Sequence, residues 1–130
     1  MHIERIQHAS VPRPRGEAAL AQAIYFYRDV LGCEERPKPS TFDDIDVAWF
    51  ACGDDEIHVL AIDETFPLRH GGAHFCLVCD DPDALRKRLE SAGFPCADIP
   101  PIPHRPRFST SDPFGNQIEI TVIDGDYRSA

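Results

Sequence analysis

Four ionisable side chains fall in stretches whose patterning predicts β-strands: His8, His58, His74 and Glu119. In the run from Gln117 to Ile123, Ile118, Ile120 and Val122 alternate with Gln117, Glu119 and Thr121. Successive strand residues point to opposite faces, so Glu119 is a carboxylate in the middle of an otherwise apolar strand. It is either a polar residue on a solvated face or a metal-binding carboxylate on the inner face of a curved sheet. His8 shares a face with Ile6 and Ser10, His58 shares one with Glu56 and Leu60, and His74 opens the apolar run HFCLVC. Each histidine alone also reads as a core residue satisfied by a backbone partner. Imidazole and carboxylate together suit divalent first-row metals.

The elements that must position these groups occur in the same order twice. Residues 3–11 predict a strand that PRPRG breaks. From Glu17, apolar residues at Leu20, Ile24, Tyr27 and Leu31 predict a helix, widened by Ala23, Phe26 and Val30, and Gly32 stops it. Glu34–Arg36 predicts a short strand, and residues 46–52 and 56–62 predict two more, joined by a Gly53-Asp54-Asp55 turn. Residues 63–72 read as a linker. The order then restarts with strand 74–79 and a helix capped by Asp81 with Pro82 in its first turn, running through Leu85, Leu89 and Ala92 to Gly93. A short strand at 96–99, a proline-rich loop, and a strand–turn–strand over Arg107–Ile123 close the chain, with Asp112-Pro113-Phe114-Gly115-Asn116 as the turn. The fold class is α+β: two βαβββ modules at about 1–62 and 73–124, a short tail at 125–130, and a single domain overall. Each module carries a histidine in its first strand (His8, His74) and an ionisable residue in its last (His58, Glu119).

Composition narrows the partners. Asp and Glu number 22 against 13 Lys and Arg, a net charge of −9, which disfavours nucleic acid and anionic membranes. No apolar run reaches the length of a membrane span and no signal-peptide pattern opens the chain, so a cytoplasmic protein is expected. The five cysteines are an odd number in apolar segments, which suits a reducing compartment. Cys76 and Cys79 form a C-x-x-C, but three residues along a strand point to opposite faces, so buried thiols are expected there rather than a zinc or redox site. His2, His70 and His104 read as surface residues, and Tyr25, Phe26, Tyr27 and Trp49 as core packing. Arg105, Arg107 and Arg128 are placed to meet an anionic group.

The sequence resembles the vicinal oxygen chelate superfamily of glyoxalase I, extradiol dioxygenases, fosfomycin-resistance enzymes and bleomycin-binding proteins. The matching residues are His8, the helix end from Ala23 to Gly32, Glu56–Leu60, Ala73-His74-Phe75, and Asp112–Glu119. The resemblance implies a curved, cleft-bearing mixed sheet with helices outside, a homodimer, and one divalent ion (nickel, zinc, manganese or iron). It implies His8, His74 and Glu119 as metal ligands, with Glu119 also the proton-moving base. His58 stands where glyoxalase-type members carry glutamate or glutamine, which leaves two roles open, a fourth ligand or a substrate contact. Ser10 and Arg107 are further substrate contacts. The expected function is a metal-dependent lyase or isomerase acting on a small oxygen-chelating substrate. A ring-cleaving dioxygenase, a fosfomycin-modifying thiol transferase and a non-catalytic drug-binding protein are the alternatives.

Overall fold

Alternation of apolar and polar residues in the first half builds a four-stranded mixed sheet in the order β1-β4-β3-β2. In this computed structural model, residues 1–129 are described. The chain divides into two compact units, Met1–Phe66 and Pro67–Ala130. The strands of the first unit are β1 (His8–Arg13), β2 (Glu35–Arg36), β3 (Val47–Cys52) and β4 (Asp55–Ala61). Ile57, Val59 and Ala61 turn one face of β4 into the core, where they join Ala48, Phe50, Phe26 and Tyr27. Full burial of a side chain such as Phe50 stabilises the fold by about 1.5–3 kcal/mol. The opposite face of β4 carries Glu56, His58 and Leu60.

Helix α1 spans Glu17–Ile24 and continues as a π-helical segment over Tyr25–Val30, where one regular helix was expected. The widening shows in Leu31 N–H, which donates to the Phe26 carbonyl five residues back at 2.9 Å. Phe26 and Tyr27 both enter the core there, packed edge to face with centroids 4.9 Å apart. Tyr25 is exposed, against the expectation of core packing, because the chain can bury only its two neighbours on that side. Gly32, at φ 81°, ends the segment.

Strand β1 starts five residues later than its pattern predicts and runs through Pro12 and Arg13. Proline is tolerated because β1 is an edge strand. The carbonyls of Gln7 and Arg13 accept from Glu56 and Ile62, so odd-numbered residues face β4 and Pro12 turns its nitrogen away from the ladder. Arg13 is fully buried and donates to Asp46 and, at 2.9 Å, to the Pro14 carbonyl.

The second unit repeats the design as β5-β8-β7-β6, with β5 at His74–Val78, β6 at Ala97–Asp98, β7 at Arg107–Ser111 and β8 at Gln117–Thr121. Helix α2, Pro82–Ser91, is capped by Asp81, whose carboxylate accepts from Ala84 N–H at 3.1 Å. Phe108, Phe114, Ile118, Ile120 and Leu89 are buried. Neither sheet closes into a barrel. Strand β5 is an edge strand, and this overturns one expectation: Cys76 is exposed and Cys79 half-buried, not core thiols.

The ladders are wired alike. In the first unit His8 lies opposite Glu56, and Ser10 and Trp49 flank His58. In the second, His74 lies opposite Gln117, and Cys76 and Ser109 flank Glu119.

Candidate functional site

In the first unit the polar face of β4 carries a stack of rings. His58 lies flat against Trp49, centroids 4.4 Å apart and planes 6° off parallel, and His8 covers its other side at 4.2 Å and 18°. The edge of His58 is held as well: its Nε2 meets Glu56 Oε1 at 2.9 Å. Glu56 also accepts from Arg36 at 3.1 Å and Gln7 at 3.4 Å. The His58 contact first, then Arg36, pulls the Glu56 carboxyl down to about 2. His8 Nδ1 contacts the Gln7 side-chain oxygen at 2.8 Å. Ser10 is exposed beside this group.

The second unit centres on Glu119, which is 5 % exposed in the middle of β8. The turn preceding β8 fixes where that strand begins. Asp112 accepts from the backbone N–H of Phe114 and Asn116, each at 2.9 Å, and from the Asn116 side chain at 2.7 Å. Glu119 Oε1 accepts from Arg107 Nη1 at 2.9 Å, and Oε2 lies 3.4 Å from Arg105 Nη2. Arg107 is anchored by two further bonds to the Pro100 carbonyl, and the Arg105 guanidinium lies over the Tyr127 ring at 5.2 Å. The Cys76 thiol donates to Oε2 at 3.5 Å, and partial cover of its sulfur, in a residue otherwise exposed, lifts it to about 11 with negative Glu119 adding.

His74 completes this group. Its Nδ1 lies 2.8 Å from the Gly72 carbonyl, which can only accept, so the N–H sits on Nδ1. In the neutral ring, Nε2 then carries a lone pair, and it stands 3.6 Å from Glu119 Oε1. These residues border a cleft of about 340 Å³, with Arg107, Ser109 and Gln117 on its wall, Ile99 and Pro100 at an apolar side, and His70 beside them.

The family model for the Glyoxalase/Bleomycin resistance protein/Dioxygenase superfamily matches residues 5–120. The chain belongs to this superfamily. A solved structure of a putative glyoxalase family protein from Bacillus anthracis is 33% identical, with a TM-score of 0.83 over 95% of this chain and 98% of its own. A lactoylglutathione lyase structure from Agrobacterium tumefaciens is 25% identical, with a TM-score of 0.64 over 92% and 94% of the two chains. An integron cassette protein from the mobile metagenome of V. cholerae shares the fold, at 20% identity and TM-score 0.71 over 94% and 97%. No curated protein matches the sequence.

Membership in the glyoxalase superfamily raises the question of a metal, which the side chains themselves can be asked. Two acceptors, a lone-pair nitrogen and a carboxylate oxygen, face each other across 3.6 Å, too far for a direct hydrogen bond. A cation bonded to each at about 2.1 Å spans that gap. The Nδ1–H bond to a carbonyl is the support a metal-binding imidazole normally has. His74 and Glu119 are thus two donors spaced to share a divalent ion, with Arg107 and Arg105 already paired to the same carboxylate. Among the described residues, no three His, Cys, Asp or Glu side chains are arranged to hold a metal ion together. His8 and His58 do not act together as stacked, since imidazole lone pairs lie in the ring plane and nearly parallel rings direct them side by side.

The structure thus groups His74, Glu119 and Arg107 within one unit, and His8, His58 and Ser10 within the other. Sequence reasoning missed Trp49 as a partner of His58, and the signal was the hairpin turn. Cys52 pairs with Asp55, so the loop has two residues, and counting back from it puts Trp49 opposite His58. The three-residue turn expected from Gly53-Asp54-Asp55 does not give that register. His70, expected at the surface away from chemistry, borders the cleft.

Proposed function

We propose that the chain is a metal-dependent enzyme of the glyoxalase type, a lyase or isomerase acting on a small substrate with neighbouring oxygens. One observation carries the reading: the His74 Nε2 lone pair and Glu119 Oε1 oppose each other at 3.6 Å at the cleft. His74 and Glu119 would hold the ion. The metal's contribution, when bound, is to polarise substrate oxygens and ease removal of a proton from the adjacent carbon. Glu119 is the base, positioned by Arg107 and buried enough to exclude most water. Ser109 and Gln117 offer polar groups to orient the substrate, and Ile99 and Pro100 keep one side of the cleft apolar. The stacking of His58 on Trp49 and its bond to Glu56 occupy the ring and count against the ligand role.

The test is a titration of purified protein with nickel, zinc, manganese and iron. Wild type should bind one ion, and His74→Ala or Glu119→Ala should each weaken it at least about 10- to 100-fold. Wild type that takes up none of these metals sinks the reading. A second reading, a non-catalytic small-molecule binder of the bleomycin-resistance type, draws support from Arg107 and Arg105, which already satisfy both Glu119 oxygens without a metal.

A further inference from the structure

The β2–β3 ladder pairs Glu35 with Phe50 and Arg36 with Trp49. It continues one step past the end of β2, where Ala51 N–H donates to the Glu34 carbonyl at 2.7 Å. Extended one further step, beyond the paired strand residues, the same register sets Cys33 opposite Cys52, and the two thiols are near enough for Cys52 to act on Cys33. Hydrogen-bonded and non-hydrogen-bonded pairs alternate along an antiparallel ladder. Glu34 and Ala51 form the bonded kind, so the two cysteines occupy a non-bonded position, where Cα atoms approach to about 4.5 Å and side chains run close together. Disulfides accept Cα separations of about 4.4–6.8 Å. We propose that Cys33 and Cys52 are a redox-active dithiol that closes to a disulfide across β2 and β3.

Both thiols are free and only half-buried, so an oxidant can reach them. Burial lifts the Cys33 thiol to about 11, and Cys52 beside it adds to the rise. Burial raises Cys52 as well. Little thiolate is therefore present at neutral pH, and the pair is a slow responder rather than a fast catalyst. With glutathione disulfide as oxidant, the thiolate of one cysteine attacks a glutathione sulfur and expels one glutathione thiolate, which takes up the proton. The second cysteine loses its proton, attacks the protein sulfur of the mixed disulfide and expels the second glutathione. Two protein thiols are oxidised and one glutathione disulfide is reduced to two thiols. The first step should accelerate about tenfold per pH unit through the neutral and mildly alkaline range, following the thiolate fraction.

The full chain is incubated with glutathione disulfide at mildly alkaline pH and its intact mass followed. Loss of two hydrogens is expected. Cleavage after Glu34 or Glu35 should then leave the Cys33 and Cys52 fragments joined until a reductant is added. Cys33→Ser and Cys52→Ser should each leave the remaining partner carrying a stable glutathione and no internal link. A variant with Cys76, Cys79 and Cys96 all changed to Ser should still close the bond. The proposal is overturned if wild type accumulates glutathione on both residues without joining them, resists oxidation at both, or links either one to another cysteine. None of these readouts involves the metal or turnover, so they stand apart from the test of the proposed function.

Discussion

Glu56 is held by three side chains, and its ionisation should show in the acid limb of stability. Its folded carboxyl lies near 2 against a usual 4.5, through His58 first and Arg36 second. A carboxyl depressed on folding stabilises the protein above its unfolded value, and that contribution disappears as pH falls through the folded one. Urea unfolding should find wild type more stable than Glu56→Gln by about 1 kcal/mol at neutral pH, a figure kept small by solvent screening. The gap should close between about 4.5 and about 2; a gap that persists unchanged to the acid end would contradict the assignment. The ionisable residues themselves were legible in the sequence, because alternation put Glu56 and His58 on one face and left Glu119 among isoleucines. Their partners were not. Arg105 and Arg107 reach Glu119 from the loop and strand after the prolines, and no periodicity specifies how a long flexible side chain ends.

At the scale of elements, the turn before β8 is where one substitution should do most damage. Gly115 has φ 92°, and a Cβ there would meet Pro67 Cβ at 2.9 Å and the Leu68 carbonyl oxygen at 3.3 Å. Gly115→Ala should therefore cost about 1–3 kcal/mol, read as a lower denaturant midpoint with unchanged slope. A midpoint equal to wild type would mean that the 67–68 segment yields freely. The helices, the repeat and the order of elements along the chain followed from apolar spacing and capping residues such as Asp81. The start of β1 did not, since the five residues 3–7 carry a strand-like pattern but lie outside the strand. Nor did the π-helical segment, because the 3.6-residue stripe from Leu20 to Leu31 is the same whether or not one turn widens.

For the whole molecule, no described helix is long and apolar enough to cross a membrane. Ile3, Ile6 and Val78 nevertheless present large apolar side chains to water. Covering each one would stabilise an assembly by about 1.5–3 kcal/mol, and a second copy is the cover that the superfamily resemblance leads one to expect. Sedimentation equilibrium should return twice the chain mass, and Ile3→Ser with Ile6→Ser should move it toward the single chain; a wild-type monomer at all concentrations removes the dimer. The matched wiring of the two ladders has another consequence. One polypeptide carries the same pairing plan twice, with different side chains set on it. Where one has His8, Glu56, His58 and Trp49, the other has His74, Gln117, Glu119 and Ser109. Transplanting the second set into the first, as His58→Glu with Glu56→Gln and Trp49→Ser, should add a second bound ion in the same titration. Each half can in this way be rewritten toward the other one ladder position at a time.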